Sequence, residues 1–116
     1  MEVNITIDFD CHQEHCSHWQ QAFDLLSSGK RGWQLQDAIG PINKTAADNL
    51  DDIWKKLAYG AEYFEVFEAT INDTHCHLQL MTGAMVVETL QSAFVSWLKQ
   101  CPVTNIKSAL SSDDDC

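Results

Sequence analysis

The sequence predicts an α+β fold, a two-layer sandwich in which a small antiparallel sheet of three to four strands carries three helices on one face. Three observations predict it. Residues 2–10 alternate polar and apolar without an error, residues 62–81 hold two more strand-like runs around a short polar turn, and three other segments repeat apolar residues at intervals of three and four. Each amphipathic helix needs its apolar stripe covered, and the simplest way to cover three of them is to lay all three against the apolar side of one sheet. The expected order is β-α-α-β-β-α, with an optional C-terminal strand.

In the first run Val3, Ile5, Ile7 and Phe9 share one face, and Glu2, Asn4, Thr6, Asp8 and Asp10 share the other, the signature of a half-buried strand. Asp10 with Gln13 has the form of a capping box, and Cys16, Trp19, Ala22, Phe23 and Leu26 then follow the helical period, so a first helix is expected over residues 11–28 with Gly29 closing it. Residues 30–43 read as a loop with room for a short strand or one helical turn, because Trp33 and Leu35 alternate with glutamines only briefly before Gly40-Pro41. Thr45 is the expected N-cap of a second helix whose stripe is Ala46, Ala47, Leu50, Ile53, Trp54, Leu57 and Ala58, ending at Gly60. Its acids Asp48, Asp51 and Asp52 precede Lys55 and Lys56, the order that suits the helix dipole.

Residues 62–71 and 74–81 are expected to pair as a hairpin closed by Asn72-Asp73. In that register Ile71 faces Thr74, Ala69 faces Cys76, Phe67 faces Leu78 and Glu65 faces Leu80. Tyr63, Phe67, Ala69, Ile71, Cys76, Leu78 and Leu80 then line the core, and Phe64, Val66, Glu68, Thr70, His75, His77, Gln79 and Met81 the reverse side, with Glu68 opposite His77. A third helix follows from Met85, Val86, Val87, Leu90, Ala93, Phe94, Trp97, Leu98 and Cys101, and Pro102 ends it. Residues 103–110 either add an edge strand or trail along the surface. The expected organisation is one domain over residues 1–110 and a disordered acidic tail over 111–116.

Seventeen acids against seven bases give a formal charge of −10, which disfavours nucleic acid and anionic membrane and attracts a basic protein. The bases gather only as Lys30-Arg31 and Lys55-Lys56. An acid at position 2 and the absence of any long apolar run argue against a signal peptide or a spanning helix, so a cytoplasmic protein is expected. Five cysteines in that setting imply reduced thiols: Cys76 and Cys101 in the core, Cys116 exposed in the tail. The sequence contains no phosphate loop, nucleophile elbow or dinucleotide fingerprint, and neither a catalytic residue nor a cofactor is assigned.

Two histidine-rich stretches suggest a metal alternative. Cys11, His12, His15, Cys16 and His18 fall close together, and on a helix Cys11 with His15 is an i, i+4 pair able to grip zinc, with His75 and His77 completing four ligands: Cys11, His15, His75 and His77. The plainer reading makes Cys16 core and Glu68 with His77 an ordinary cross-strand pair.

Asn49-Leu50-Asp51-x-Ile53-Trp54-x-x-Leu57 resembles a helix of the barstar family, small acidic inhibitors that occlude a ribonuclease active site. The resemblance covers about a tenth of the chain, and Lys55 replaces a further acid of that family's helix. It implies an inhibitor. Joined to the charge and the predicted open sheet face, it leads to a non-enzymatic module of the inhibitor, immunity or antitoxin kind. Such a module would bind a basic protein through Asp8, Asp10, Phe64, Val66, Glu68, His75 and His77, with a homodimer through that face or a strand edge as the structural alternative.

Overall fold

The computed structural model describes residues 2–30, 33–56 and 64–112. Strand β1 (Glu2–Cys11) leads through a 3-10 turn (Gln13–His15) to helices α1 (Cys16–Ser27), α2 (Trp33–Ile39) and α3 (Lys44–Lys56). Strands β2 (Glu65–Asn72) and β3 (His75–Gly83), helix α4 (Val87–Leu98) and strand β4 (Val103–Ser112) follow. The strands form one antiparallel sheet in the order β2-β3-β1-β4. The α+β class is as expected. Four helices stand among the described residues instead of three, and the optional strand is formed.

The alternation of β1 decides where the core lies. Ile5, Ile7 and Phe9 are fully enclosed on one side of the sheet, together with Cys76, Leu78 and Leu80 of β3. Against them pack Trp19, Ala22, Phe23 and Leu26 of α1, Leu35 and Ile39 of α2, Ala46 and Leu50 of α3, and Leu90, Phe94 and Trp97 of α4. Phe9 meets Trp19 edge-on at 5.0 Å, and Trp19 meets Trp97 at 6.0 Å. Burying side chains of this size contributes about 1.5–3 kcal/mol each, so the aromatic centre ties β1, α1 and α4 together. The Trp97 indole also donates to the Ala46 carbonyl at 2.7 Å, which joins α4 to α3.

Several boundaries differ from expectation for identifiable reasons. Helix α1 starts at Cys16, because Asp10 caps nothing: its carboxylate is engaged across the sheet, and β1 continues to Cys11. Its C-terminus is as expected. Gly29 takes φ +77°, Lys30 N–H donates to Leu25 and Gly29 N–H to Leu26, a paired bonding pattern that closes the last turn. Residues 33–39 form a helix, since Leu35, Ala38, Ile39 and Ile42 bury at spacings of three, four and seven. The N-cap of α3 is Asn43, whose Oδ1 accepts the Ala46 N–H at 2.9 Å, and not Thr45. Met85 is almost wholly exposed ahead of α4. Strand β4 runs on through Ser111 and Ser112, which were expected in the tail. The expected core positions Ile53, Trp54, Leu57, Ala58 and Tyr63 and the tail residues 113–116 lie outside the described side chains.

The hairpin carries the correction that matters most. Asn72 pairs with His75, and Asp73, at φ 55°, forms the turn with Thr74, so the turn sits one residue later than expected. Because the register moves by two residues, Ile71 and Ala69 stay on the same face as Cys76 and Leu78, now directly opposite them. Val66 then pairs with Leu80 and Glu68 with Gln79, leaving Phe67 as an extra residue in a β-bulge. One extra residue inverts the alternation beyond it. Phe67, expected in the core, is 56% exposed; Phe64 and Val66, expected on the open face, turn under the helices. Phe64 is buried, with its ring 5.6 Å from Phe94 of α4.

Candidate functional site

The outward positions of β1 and β3 face each other in register: Asp8 stands opposite His77, and Asp10 opposite His75. Their short side chains project from neighbouring strands on the face that no described element covers. Asp8 Oδ1 accepts from His77 Nδ1 at 2.8 Å and lies 3.1 Å from His75 Nε2. His75 Nδ1 lies 3.1 Å from Asp10 Oδ1. Glu68 sits opposite Gln79, and Thr70, not Glu68, is opposite His77; even so, Glu68 Oε2 reaches His77 Nε2 diagonally at 3.6 Å.

The far end of the row is held by β4. Asp8 pairs with Lys107 and Asp10 with Thr104, so Asn105 and Ile106 both lie against Phe9 in a second bulge. Asn105 adopts φ 55°, a conformation that asparagine tolerates better than most residues, and its side-chain N–H donates to Asp10 Oδ2 at 2.8 Å. The result is a continuous line, Glu68, His77, Asp8, His75, Asp10, Asn105, that crosses all four strands.

Its electrostatics follow from the contacts. The Asn105 hydrogen bond and, after it, the His75 imidazole hold the Asp10 carboxyl below its ordinary value. Asp10 first and Asp8 second raise His75 above its own, because both ring nitrogens point at carboxylate oxygens and only the doubly protonated ring can donate to both. With neutral imidazoles the line carries three carboxylates, and Lys107 stands beside it. Such a strip attracts ammonium and guanidinium groups, and protonation of His75 weakens that attraction.

Of the residues expected at the site, Asp8, Asp10, Glu68, His75 and His77 come together. Phe64 and Val66 do not, since the bulge turns them inward. The four proposed zinc ligands are also separated. β1 extends through Cys11 and buries it on the core side with its thiol against Cys16, while His75 and His77 occupy the opposite face. Among the described residues no three His, Cys, Asp or Glu side chains converge on a metal position. Sequence reasoning missed Asn105 and Lys107, whose one signal was the unassigned stretch before residue 110.

Comparison with family models, curated proteins and solved structures returned no match. The resemblance to the barstar family therefore rests on residues 49–57 alone. Among the described residues no helix is long and apolar enough to cross a membrane.

Proposed function

We propose that this chain is a small, acidic, non-enzymatic protein-binding module, of the inhibitor, immunity or antitoxin kind, and that the carboxylate–imidazole line, on the face of the sheet that no described element covers, receives a basic segment of its partner. The observation that carries the reading is the line itself: three carboxylates on β1 and β2, prearranged by the two histidines of the intervening β3 and by Asn105 of β4. Prearranged acceptors lose little freedom on meeting an arginine or lysine. A formal charge of −10 adds long-range attraction. With Phe64 turned inward, the surface lacks the apolar centre that tight interfaces usually have, so recognition here is mainly polar and salt-sensitive.

The test is an NMR titration of the protein with an arginine-rich peptide at low and high salt, repeated with an Asp8→Asn/Asp10→Asn variant. Shifts centred on Asp8, Asp10, His75 and His77 that vanish in the variant and in high salt support the reading. Shifts spread evenly over Asp24, Asp37 and Asp48 on the helices would reduce the binding to net charge and end it.

A second reading has its own observation. β4 is a ten-residue edge strand with Lys107 as its one charged side chain, and exposed edges of that length commonly pair with another chain. Antiparallel pairing of β4 with a second copy would make a homodimer. Sizing the protein over a concentration series, with a Ser108→Pro variant as the edge breaker, decides it.

A further inference from the structure

Behind the end of the sheet, opposite the carboxylate line, three thiols gather where β1, α1 and β3 meet. Cys11 Sγ and Cys16 Sγ are 3.6 Å apart, and Cys76, adjacent to His75, is enclosed beside Cys11. They differ in access. Cys11 and Cys76 are buried, whereas Cys16 is partly exposed and lines an open cleft with Gln13, Ser17, Asp73 and Thr74. Its thiol also donates to the Asp73 carbonyl at 3.2 Å, in the turn between β2 and β3. A fourth cysteine, Cys101, is buried just past the end of α4, where its thiol donates to the Trp97 carbonyl.

We propose that Cys11 and Cys16 are a reversible oxidation site, in which a hydroperoxide entering through the cleft oxidises Cys16 and Cys11 resolves it to an intramolecular disulfide. In the first step the Cys16 sulfur attacks one peroxide oxygen. The O–O bond breaks, an S–O bond forms, and the second oxygen leaves with the thiol proton, as water when the oxidant is hydrogen peroxide and otherwise as an alcohol, giving a sulfenic acid. In the second the Cys11 sulfur attacks the Cys16 sulfur, the S–O bond breaks, and the hydroxyl leaves as water with the Cys11 proton. Two thiols lose two electrons and one hydroperoxide is reduced, to two waters when it is hydrogen peroxide.

Access and chemistry assign the order. Burial pushes the Cys11 and Cys76 thiols up, so both stay protonated and shielded while Cys16 faces the cleft. Cys11 is nonetheless in van der Waals contact with the sulfur it must attack, and closing 3.6 Å to a bond of about 2 Å is a small local movement. The bond would clip the end of β1 to the start of α1 and remove the hydrogen bond from Cys16 to Asp73, two residues before His75. The site is independent of the proposed binding face and stands or falls separately from it.

The experiment uses the full chain with Cys116→Ser, which removes the fifth thiol. The reduced protein is exposed to hydrogen peroxide, alkylated under denaturing conditions and mapped by mass spectrometry. The expected result is loss of two hydrogens in the segment joining Cys11 to Cys16, reversed by dithiothreitol, with Cys101 fully alkylated. In native protein Cys16 should alkylate roughly tenfold or more faster than Cys101. Cys11→Ser should instead leave a sulfenic acid on Cys16 that dimedone traps. Full alkylation of Cys11 and Cys16 after peroxide overturns the proposal, as does a disulfide that maps to Cys76 or that forms equally well in Cys16→Ser. The map of the Cys116→Ser chain keeps both thiols of the pair, so a folding defect in Cys11→Ser or Cys16→Ser leaves the answer readable.

Discussion

His75 places each ring nitrogen 3.1 Å from a carboxylate oxygen, and that arrangement makes a signed prediction about pH. Its folded-state pKa is raised above 6.5, so its contribution to stability is complete below that value and is lost as pH rises through the folded one. Asp10 is lowered from 3.8, so its contribution is present above 3.8 and is lost as pH falls through its own folded value. The two act together in mild acid. The urea midpoint of the wild type relative to His75→Gln should be highest between those limits and shrink as pH rises through the folded-state value of His75; a difference that ignores pH would mean that the imidazole is not ion-paired. Asn105 allows backbone and side chain to be separated. Asn105→Ala must hold a left-handed φ and should be about 1 kcal/mol less stable than Asn105→Gly, by denaturant unfolding. Both variants lose the hydrogen bond to Asp10, so both should shift its NMR-detected titration upward alike.

The bulge in β2 sets the register of the element and with it the side of the sheet to which three aromatic or aliphatic residues belong. Phe67→Ser should change stability by less than about 0.5 kcal/mol, because the ring is largely exposed. Phe64→Ala, which empties the space against Phe94, should cost about 3–5 kcal/mol. Uninterrupted alternation demands the reverse ranking, so the pair of denaturation curves reads the register directly. Legibility varied in the same way along the chain. β1 and β3 alternate without interruption, and Asp8, Asp10, His75 and His77 therefore fell on one face as expected. In β2 an aromatic or aliphatic residue at each of positions 64, 66 and 67 left no compositional mark of which one is extra. α2 was hidden because its four apolar contacts straddle Gly40-Pro41, and Asn105 because its conformation exists only where β4 pairs with β1.

At the scale of the whole molecule, charge opposes compactness. With seventeen acids and seven bases the folded chain repels itself, and salt that screens this repulsion should raise the unfolding midpoint steadily toward a plateau. Binding of a basic peptide should weaken over the same salt range. Opposite responses of stability and binding, measured on one preparation, would separate general self-repulsion from attraction at the carboxylate line.

Periods of two and of three to four residues are local properties, and they were enough to determine the α+β class, the buried and outward faces of β1, and the placing of two aspartates and two histidines on the outward positions of their strands. Which strand lies beside which, where a bulge takes up an extra residue, and which thiols touch were decided only by tertiary packing. The physical reason is that side-chain alternation specifies a face up to a shift of one residue. Resolving that shift depends on contacts between segments far apart in the chain, such as Phe64 with Phe94 or Asn105 with Asp10.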